Sequence, residues 1–290
     1  HFSDIHAGCY PRAFSSLFDK RIIGTVNYFL HRRRQLKLNF MQLAVPKIKM
    51  LAPEIIVCSG DLTCVGTPEE FARARGELET FLHNQACRFI YVPGNHDAYV
   101  GNSECRRALA ETFYALNEER WKLADLPAQL NKAGLRFFVV NECMPTHYFS
   151  SAGLLTAASV DQLEPWLRQP RKRNEKRILV GHFPLRAHDG QPLGWRRRLN
   201  GADRIYAALT EGRLDVSLCG HIHDPFMRRE KNGAMEICAG SVTANGAVNV
   251  IDYNPDDGRF SQFWVDISAD EEKMKGIPAH AKLNVLTAAE

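Results

Sequence analysis

Residues 88–97, Arg88-Phe89-Ile90-Tyr91-Val92-Pro93-Gly94-Asn95-His96-Asp97, set the reading of this chain. A short apolar and aromatic run suits a buried strand. Pro93 and Gly94 end it, and three chemically capable side chains follow at once. The plan recurs along the chain. Residues 55–59 run into Gly60-Asp61, residues 177–181 into Gly181-His182, and residues 216–220 into Gly220-His221-Ile222-His223. Asp4-Ile5-His6 opens the chain in the same style. Each motif sits at the C-terminal end of a strand candidate, the edge where ligands bind in open α/β sheets because the loops converge there.

Between these strands lie stretches with helical spacing, at 35–51, 68–85, 103–117, 156–167 and 202–211. Thr67 with Glu70 three residues on gives the second of them a capping box. A further strand candidate spans 135–141. The last third adds 235–239, 247–253 and 260–267 and reads as hairpins. Alternating strands and helices followed by hairpins predict mixed sheets, packed face to face with helices outside.

The 290 residues carry 45% hydrophobic and 24% charged side chains, ordinary for a globular chain long enough to bury a full core. A net charge of +4 is too weak to argue for nucleic acid. None of the eight cysteines forms a C-x-x-C pair, which argues against a cysteine zinc site and suits reduced thiols. No run approaches the ~18 apolar residues of a membrane span, and no signal-peptide pattern is present. The expected location is cytoplasmic, peripheral at the inner face of a membrane if the arm described below seats there.

Positions i and i+2 of a strand face one side, so Asp4 and His6 are expected to share an ion, as are His221 and His223. Imidazole with carboxylate suits manganese, zinc or iron better than magnesium or calcium. One histidine or one Gly-Asp is usually structural. Five such motifs at five strand ends are a set, and coincidence explains the set poorly.

In the order D-x-H, G-D, G-N-H-D, G-H, G-H-x-H, these motifs resemble the calcineurin-like metallophosphoesterases. The resemblance implies a four-layer αββα sandwich with two mixed β-sheets and the metal site at the strand C-terminal ends, over residues 1–270, with 271–290 as a C-terminal tail. It implies two divalent ions, manganese first and iron or zinc as alternatives. Asp4, His6 and His223 would hold one ion, Asn95, His182 and His221 the other, and Asp61 would bridge them. His96 would act on the phosphate, and Asp97 would orient His96 through its ring N–H. The implied reaction is hydrolysis of a phosphodiester or pyrophosphate by a metal-activated hydroxide, with no covalent enzyme intermediate.

Substrate choice is expected in the insertions. Residues 12–50 hold a membrane- or lipid-facing candidate. Within 18–34, Phe18, Ile22, Val26, Phe29 and Leu30 follow helical spacing and basic residues flank them. Such a stripe either packs on its own domain or meets a membrane surface or acyl chain. The second reading suits a nucleotide lipid such as UDP-2,3-diacylglucosamine, which peripheral membrane members of the family cleave. The alternative is a soluble cyclic-nucleotide phosphodiesterase. A non-catalytic scaffold and a DNA nuclease fit less well, given the complete ligand set and the weak charge. In the loop 186–200, His188, Arg196, Arg197 and Arg198 are candidate substrate contacts.

Overall fold

A computed structural model describes residues 1–9, 19–82, 87–147 and 149–267 of the protein. In chain order the elements begin with α1 (Arg21–Leu30), α2 (Asn39–Met50), β1 (Ile55–Cys58), α3 (Pro68–Leu82), β2 (Arg88–Tyr91) and α4 (Ser103–Leu116). The edge pair β3 (Ala128–Lys132) and β4 (Leu135–Val139) comes next, then β5 (Gly153–Leu154), α5 (Ala157–Arg168), β6 (Lys176–Val180), β7 (Leu199–Asn200) and α6 (Asp203–Thr210). The chain continues through β8 (Val216–Cys219), β9 (Phe226–Arg229), β10 (Met235–Cys238), α7 (Val242–Asn245), β11 (Ala247–Asn254) and β12 (Arg259–Asp266).

Two β-layers face each other. One is six-stranded in the order β3-β4-β6-β8-β10-β9. It is parallel from β4 through β10 and antiparallel at both edges. The other begins with the parallel pair β1–β2. Phe2 bridges to Cys58 beside it. His1 and Asn249 exchange backbone bonds of 2.8 and 2.9 Å, which attach the antiparallel pair β11–β12 to the same layer.

Strand alternation then assigns the faces. Val57, Ile90 and Val92 of one layer meet Phe137, Val139, Ile178, Val180 and Leu218 of the other, forming the dry interior. On the opposite face Ile56, Cys58, Phe89 and Tyr91 pack under α2, α3 and α4. Phe138 and Leu179 turn outward from the six-stranded sheet onto α5 and α6. The result is the helix–sheet–sheet–helix sandwich that the sequence predicted.

Besides the two-residue pair β5–β7, two strands were not legible beforehand. β3 and β9 are edge strands, and their half-buried Gln129 and Arg228 and exposed Asn131 and Arg229 interrupt the apolar alternation. Polar edges of this kind guard a sheet against further pairing, and they blunt the sequence signal too. The helix predicted at 35–51 begins at Asn39. The end of the one predicted at 68–85 falls outside the described residues, as do Phe18, residues 12–17 of the insertion and the tail 271–290.

The capping box of α3 is formed. Glu70 N donates to Thr67 Oγ1 at 3.4 Å, and Glu70 Oε2 accepts from Thr67 N at 3.3 Å and from Val65 N at 2.9 Å. Burial pushes the Glu70 carboxyl up to about 7, against this opposing set of backbone donors. The folded state therefore retains a proton that the unfolded chain releases near its ordinary carboxyl value. This contribution to stability is complete at low pH and lost as pH rises through about 7. Glu70→Gln keeps an acceptor and removes the titration. Compared with the parent by denaturant unfolding, the variant should gain about 1–3 kcal/mol in relative stability between pH 5 and pH 8. An unchanged difference across that range would show that Glu70 does not titrate this way.

Candidate metal centre

The five motifs converge at one end of the two β-layers, and their backbone is more unusual than strand alternation predicts. Asp4, His6, Asp61, His221 and His223 all have positive φ, at 55, 49, 55, 72 and 57°. They do not share a face by lying two apart in a strand. Each is a left-handed residue in the loop just beyond a strand, and alternation of left-handed with ordinary residues turns both side chains inward. Such a conformation costs a non-glycine residue on the order of 1–3 kcal/mol, and the surroundings must enforce it. Here they do: Asp4 N donates to Gly60 O at 2.9 Å, His6 N to Asp61 O at 3.0 Å, and His221 N to Asp4 Oδ2 at 3.0 Å.

Two glycines are required by close approach. A Cβ on Gly94 would lie 2.0 Å from Asp61 Oδ1, and one on Gly220 would lie 2.4 Å from Asp4 Oδ2. Loop backbone therefore passes against each carboxylate where another residue would collide.

Four histidines are held alike. One ring nitrogen of each meets a backbone carbonyl: His6 Nδ1 at 3.0 Å from Thr63 O, His182 Nδ1 at 2.7 Å from Ser59 O, His96 Nδ1 at 2.6 Å from Cys64 O, and His221 Nε2 at 3.0 Å from Arg197 O. A carbonyl only accepts, so that nitrogen carries the proton and the other keeps its lone pair for the centre of the site. The remaining ring nitrogens gather in two places. His6 Nε2, His223 Nε2 and Asp4 Oδ1 form a triangle with edges of 2.9, 3.1 and 3.5 Å. His182 Nε2 and His221 Nδ1 lie 3.2 and 2.7 Å from Asn95 Oδ1. Asp61 Oδ2 stands between, 3.4 Å from His182 Nε2 and 3.9 Å from His6 Nε2.

These residues fit divalent cations. Asp4 Oδ1 is buried, and its polar neighbours among the described residues are the imidazole nitrogens of His223 and His6. Two buried carboxylates with lone-pair nitrogens around them call for positive charge at their centre. The titration tendencies agree. Burial disfavours charge on His182, yet Asp61 and Asp4 outweigh it and push that imidazole up to about 10. Burial would raise Asp4 and Asp61, but neighbouring imidazoles hold both below the ordinary carboxylate range, His223 foremost for Asp4 and His182 for Asp61. Ligating atoms within 4.8 Å of one another form three groups: Asp4 with His6 and His223, His6 with Asp61 and His96, and Asp4 with Asp61 and His182. His96, which the sequence sets apart from the ligands, is thus within reach of the same centre.

One expectation needs correction. Asp97 does not orient the His96 ring. Its carboxylate accepts from Leu62 N, Thr63 N, Gly94 N and the Tyr91 hydroxyl, at 2.8 to 3.2 Å. It is buried beneath two metal-site loops and ties them together, while a backbone carbonyl holds His96. The substrate candidates of the 186–200 loop fare differently from the ligands. Arg196, Arg197 and Arg198 are exposed, with Arg196 over the Trp195 ring and Arg198 on Asn200 Oδ1. The contact this loop makes with the site is the Arg197 carbonyl on His221. His188 is exposed in the turn that Ala187 N closes onto Gln191 O.

Sequence reasoning missed Glu142. Its Oε2 accepts from His182 N at 2.7 Å and Phe183 N at 2.8 Å and so fixes the loop that carries His182. The residue follows β4, and its place just past a strand end was the available signal.

A buried carboxylate and imidazole cluster stands at the strand ends of this sandwich and forms a candidate two-metal centre. Residues 1–225 match the family model of calcineurin-like phosphoesterases, and the chain belongs to that family. A cAMP/cGMP dual specificity phosphodiesterase of Mycobacterium tuberculosis is 29% identical over 184 residues, covering 60% of this chain and 49% of that protein. The chain thus spans about half the length of this curated relative. Among solved structures, a dimetal phosphatase from Danio rerio superposes with a TM-score of 0.54 at 14% identity, covering 79% of this chain and 82% of the other. A purple acid phosphatase from yellow lupin does so with a TM-score of 0.50 at 13% identity, covering 87% and 52%. Likeness at such identities is a likeness of fold.

Asp61 faces both groups, so Asp61→Asn should reduce bound metal from about two equivalents to well below one, measured by elemental analysis after dialysis. Retention of two tightly held ions would remove Asp61 from the bridging position.

Proposed function

We propose that the protein is a two-metal phosphohydrolase of an amphiphilic phosphodiester or pyrophosphate, such as the nucleotide lipid UDP-2,3-diacylglucosamine, taken from a membrane surface. Asp4, His6 and His223 would hold one ion and Asn95, His182 and His221 the other, with Asp61 shared. Bound at these residues, a pair of divalent ions supplies Lewis acidity and a nucleophile at neutral pH. Manganese, iron and zinc all suit the donor set, and manganese is our first choice.

The chain's own residues do the rest. With Nδ1 held by Cys64 O, the His96 ring directs Nε2 toward the site, where in its doubly protonated form it gives a proton to the leaving oxygen. Tyr99 stacks on that ring at 5.5 Å and 11°, which limits its rotation. Asp97 and Glu142 keep the carrying loops in register through the bonds described above.

The observation that carries the amphiphile is the outer face of α1. Ile22, Ile23, Val26 and Leu30 are 40, 52, 49 and 68% exposed. An amphipathic helix that packed its stripe on its own domain would cover these side chains. Instead Ile22, Ile23 and Val26 line a hollow of about 500 Å³. Ile23 also lines a second cavity of about 300 Å³ that reaches His96 and Asn95. An apolar surface thus leads to the residue that would protonate the leaving group. Arg33 and Arg34 just beyond α1 are exposed, which suits an anionic lipid face. Among the described residues no helix is long and apolar enough to cross a membrane, so the contact proposed is peripheral.

A second reading, hydrolysis of a cyclic nucleotide, is favoured by the named activity of the mycobacterial relative. A manganese-supplemented panel of bis-p-nitrophenyl phosphate, cyclic AMP and UDP-2,3-diacylglucosamine, with and without detergent micelles, separates the two. The amphiphile reading expects the nucleotide lipid to be cleaved fastest and only when dispersed. Turnover of cyclic AMP with none of the lipid would sink it. Within the same panel, His96→Ala should lower kcat by about 10²–10⁴-fold while metal content stays within a third of the parent. Loss of metal together with activity would make His96 a ligand instead.

A further inference from the structure

The cavity beside His96 contains a charge that the reading above leaves without a task. Lys20 is half-buried on its wall, with Ile23, Tyr28, Tyr99, Phe149 and His96. Its Nζ reaches Thr146 O at 3.3 Å and Thr146 Oγ1 at 3.1 Å, and it lies 4.4 Å from the centre of the Tyr99 ring. All of these partners are neutral. Its neighbour Asp19 is turned the other way, 2.8 Å from the buried Arg21. Among the described residues no carboxylate comes within ion-pair distance of Lys20, and none lines the cavity. Burial lowers the Lys20 ammonium from its ordinary value, and no acidic neighbour offsets the fall. The residue is also the N-cap of α1, where the positive end of the helix dipole opposes a cation. A half-buried ammonium with neutral partners is a net cost to the fold. A bound anion would reverse that cost.

Position says which anion. Lys20 lies over one ring, Tyr99, and that ring stacks on His96. The cavity is therefore on the His96 side of the centre, the side toward which the leaving oxygen departs. We propose that Lys20 is an anion subsite for the leaving group, so that the substrate is a pyrophosphate whose leaving group is itself a phosphate monoester. This deepens the phosphohydrolase reading and rests on it. It narrows the bond from diester or anhydride to anhydride.

The step balances without a further reagent. Water oxygen forms a bond to the attacked phosphorus, and the bond from that phosphorus to the bridging oxygen breaks. The bridging oxygen departs with the electron pair as part of the second phosphate and takes a proton from His96, which the proton released by water restores. The ammonium neutralises the charge gathering on the departing phosphate, a charge-assisted contact that an uncharged alcohol would not make.

Lys20→Met keeps length and apolar bulk and deletes the charge, while Lys20→Arg restores it. With manganese and detergent micelles throughout, kcat/KM is compared on UDP-2,3-diacylglucosamine and on bis-p-nitrophenyl phosphate, whose leaving group carries no second phosphate. The expected result is a loss of at least tenfold for Lys20→Met on the anhydride, a change under twofold on the diester, and recovery of most of the loss in Lys20→Arg. Equal losses on both substrates, or no loss on the anhydride, overturn the subsite. A parent enzyme that cleaves the diester and leaves the anhydride intact also overturns it, while the phosphohydrolase reading stands. A parent inert on both would bring down that reading first.

Discussion

Two aspartates, Asp4 and Asp61, are buried among imidazoles at the end of the sandwich, and this concentration of negative charge is the constraint on which the site depends. Carboxylates out of water need compensation. His6, His182 and His221 are each anchored by a backbone carbonyl, so the other ring nitrogen has one direction to face. The loops absorb the consequence. Five of the residues adopt positive φ, and glycines stand where the backbone passes a carboxylate at van der Waals distance or closer. A site of this type stores strain in its loops, and the two packed β-layers hold it there.

The layers do so by giving every loop a fixed origin. The parallel register of β4, β6, β8 and β10 brings the ends of those strands level, and the first strand-like residues, 1–3, lie between β1 and β11 in the facing layer. Asp97 and Glu142 then link loops that leave different strands. Both are buried and both carboxyls are pushed up by that burial, to about 6 and about 7; Asp97 accepts backbone N–H groups on both oxygens and Glu142 on Oε2. Neither touches the centre of the site, yet each fixes a loop that does.

The outer face of the site has a different character. α1 and its N-cap Lys20 bring apolar side chains and a cation, with no acidic partner among the described residues, to a cavity that ends at His96. It packs by close approach at Gly24, where a Cβ would lie 2.4 Å from Val65 Cγ1. Its exposed stripe gains nothing from the fold around it. The helix makes better physical sense as a surface for something brought to the protein, and the metal-side residues as the machinery that acts on it.

Much of this was written in the primary structure. Apolar runs of strand length ending in Gly-Asp, Gly-Asn-His-Asp or Gly-His gave the sandwich and gathered Asp4, His6, Asp61, Asn95, His96, His182, His221 and His223, because a strand delivers its final residues to one sheet edge wherever the chain goes next. The rest depended on contacts between residues far apart in the chain. Charged edge strands such as β9 give no clear period, so pairing alone reveals them. The partner of His96 is a carbonyl, and a carbonyl carries no residue identity to read. Asp97 follows His96 directly, yet it points into the loop beneath, because five backbone and hydroxyl donors of Leu62, Thr63, Tyr91 and Gly94 compete for it successfully. Spacing suggested a helical stripe at 18–34, and only packing decided that the stripe faces outward beside the site. Short-range pattern fixes which groups arrive at the centre; the orientation of each, and the company Lys20 keeps, are set by which distant backbone atoms fold against them.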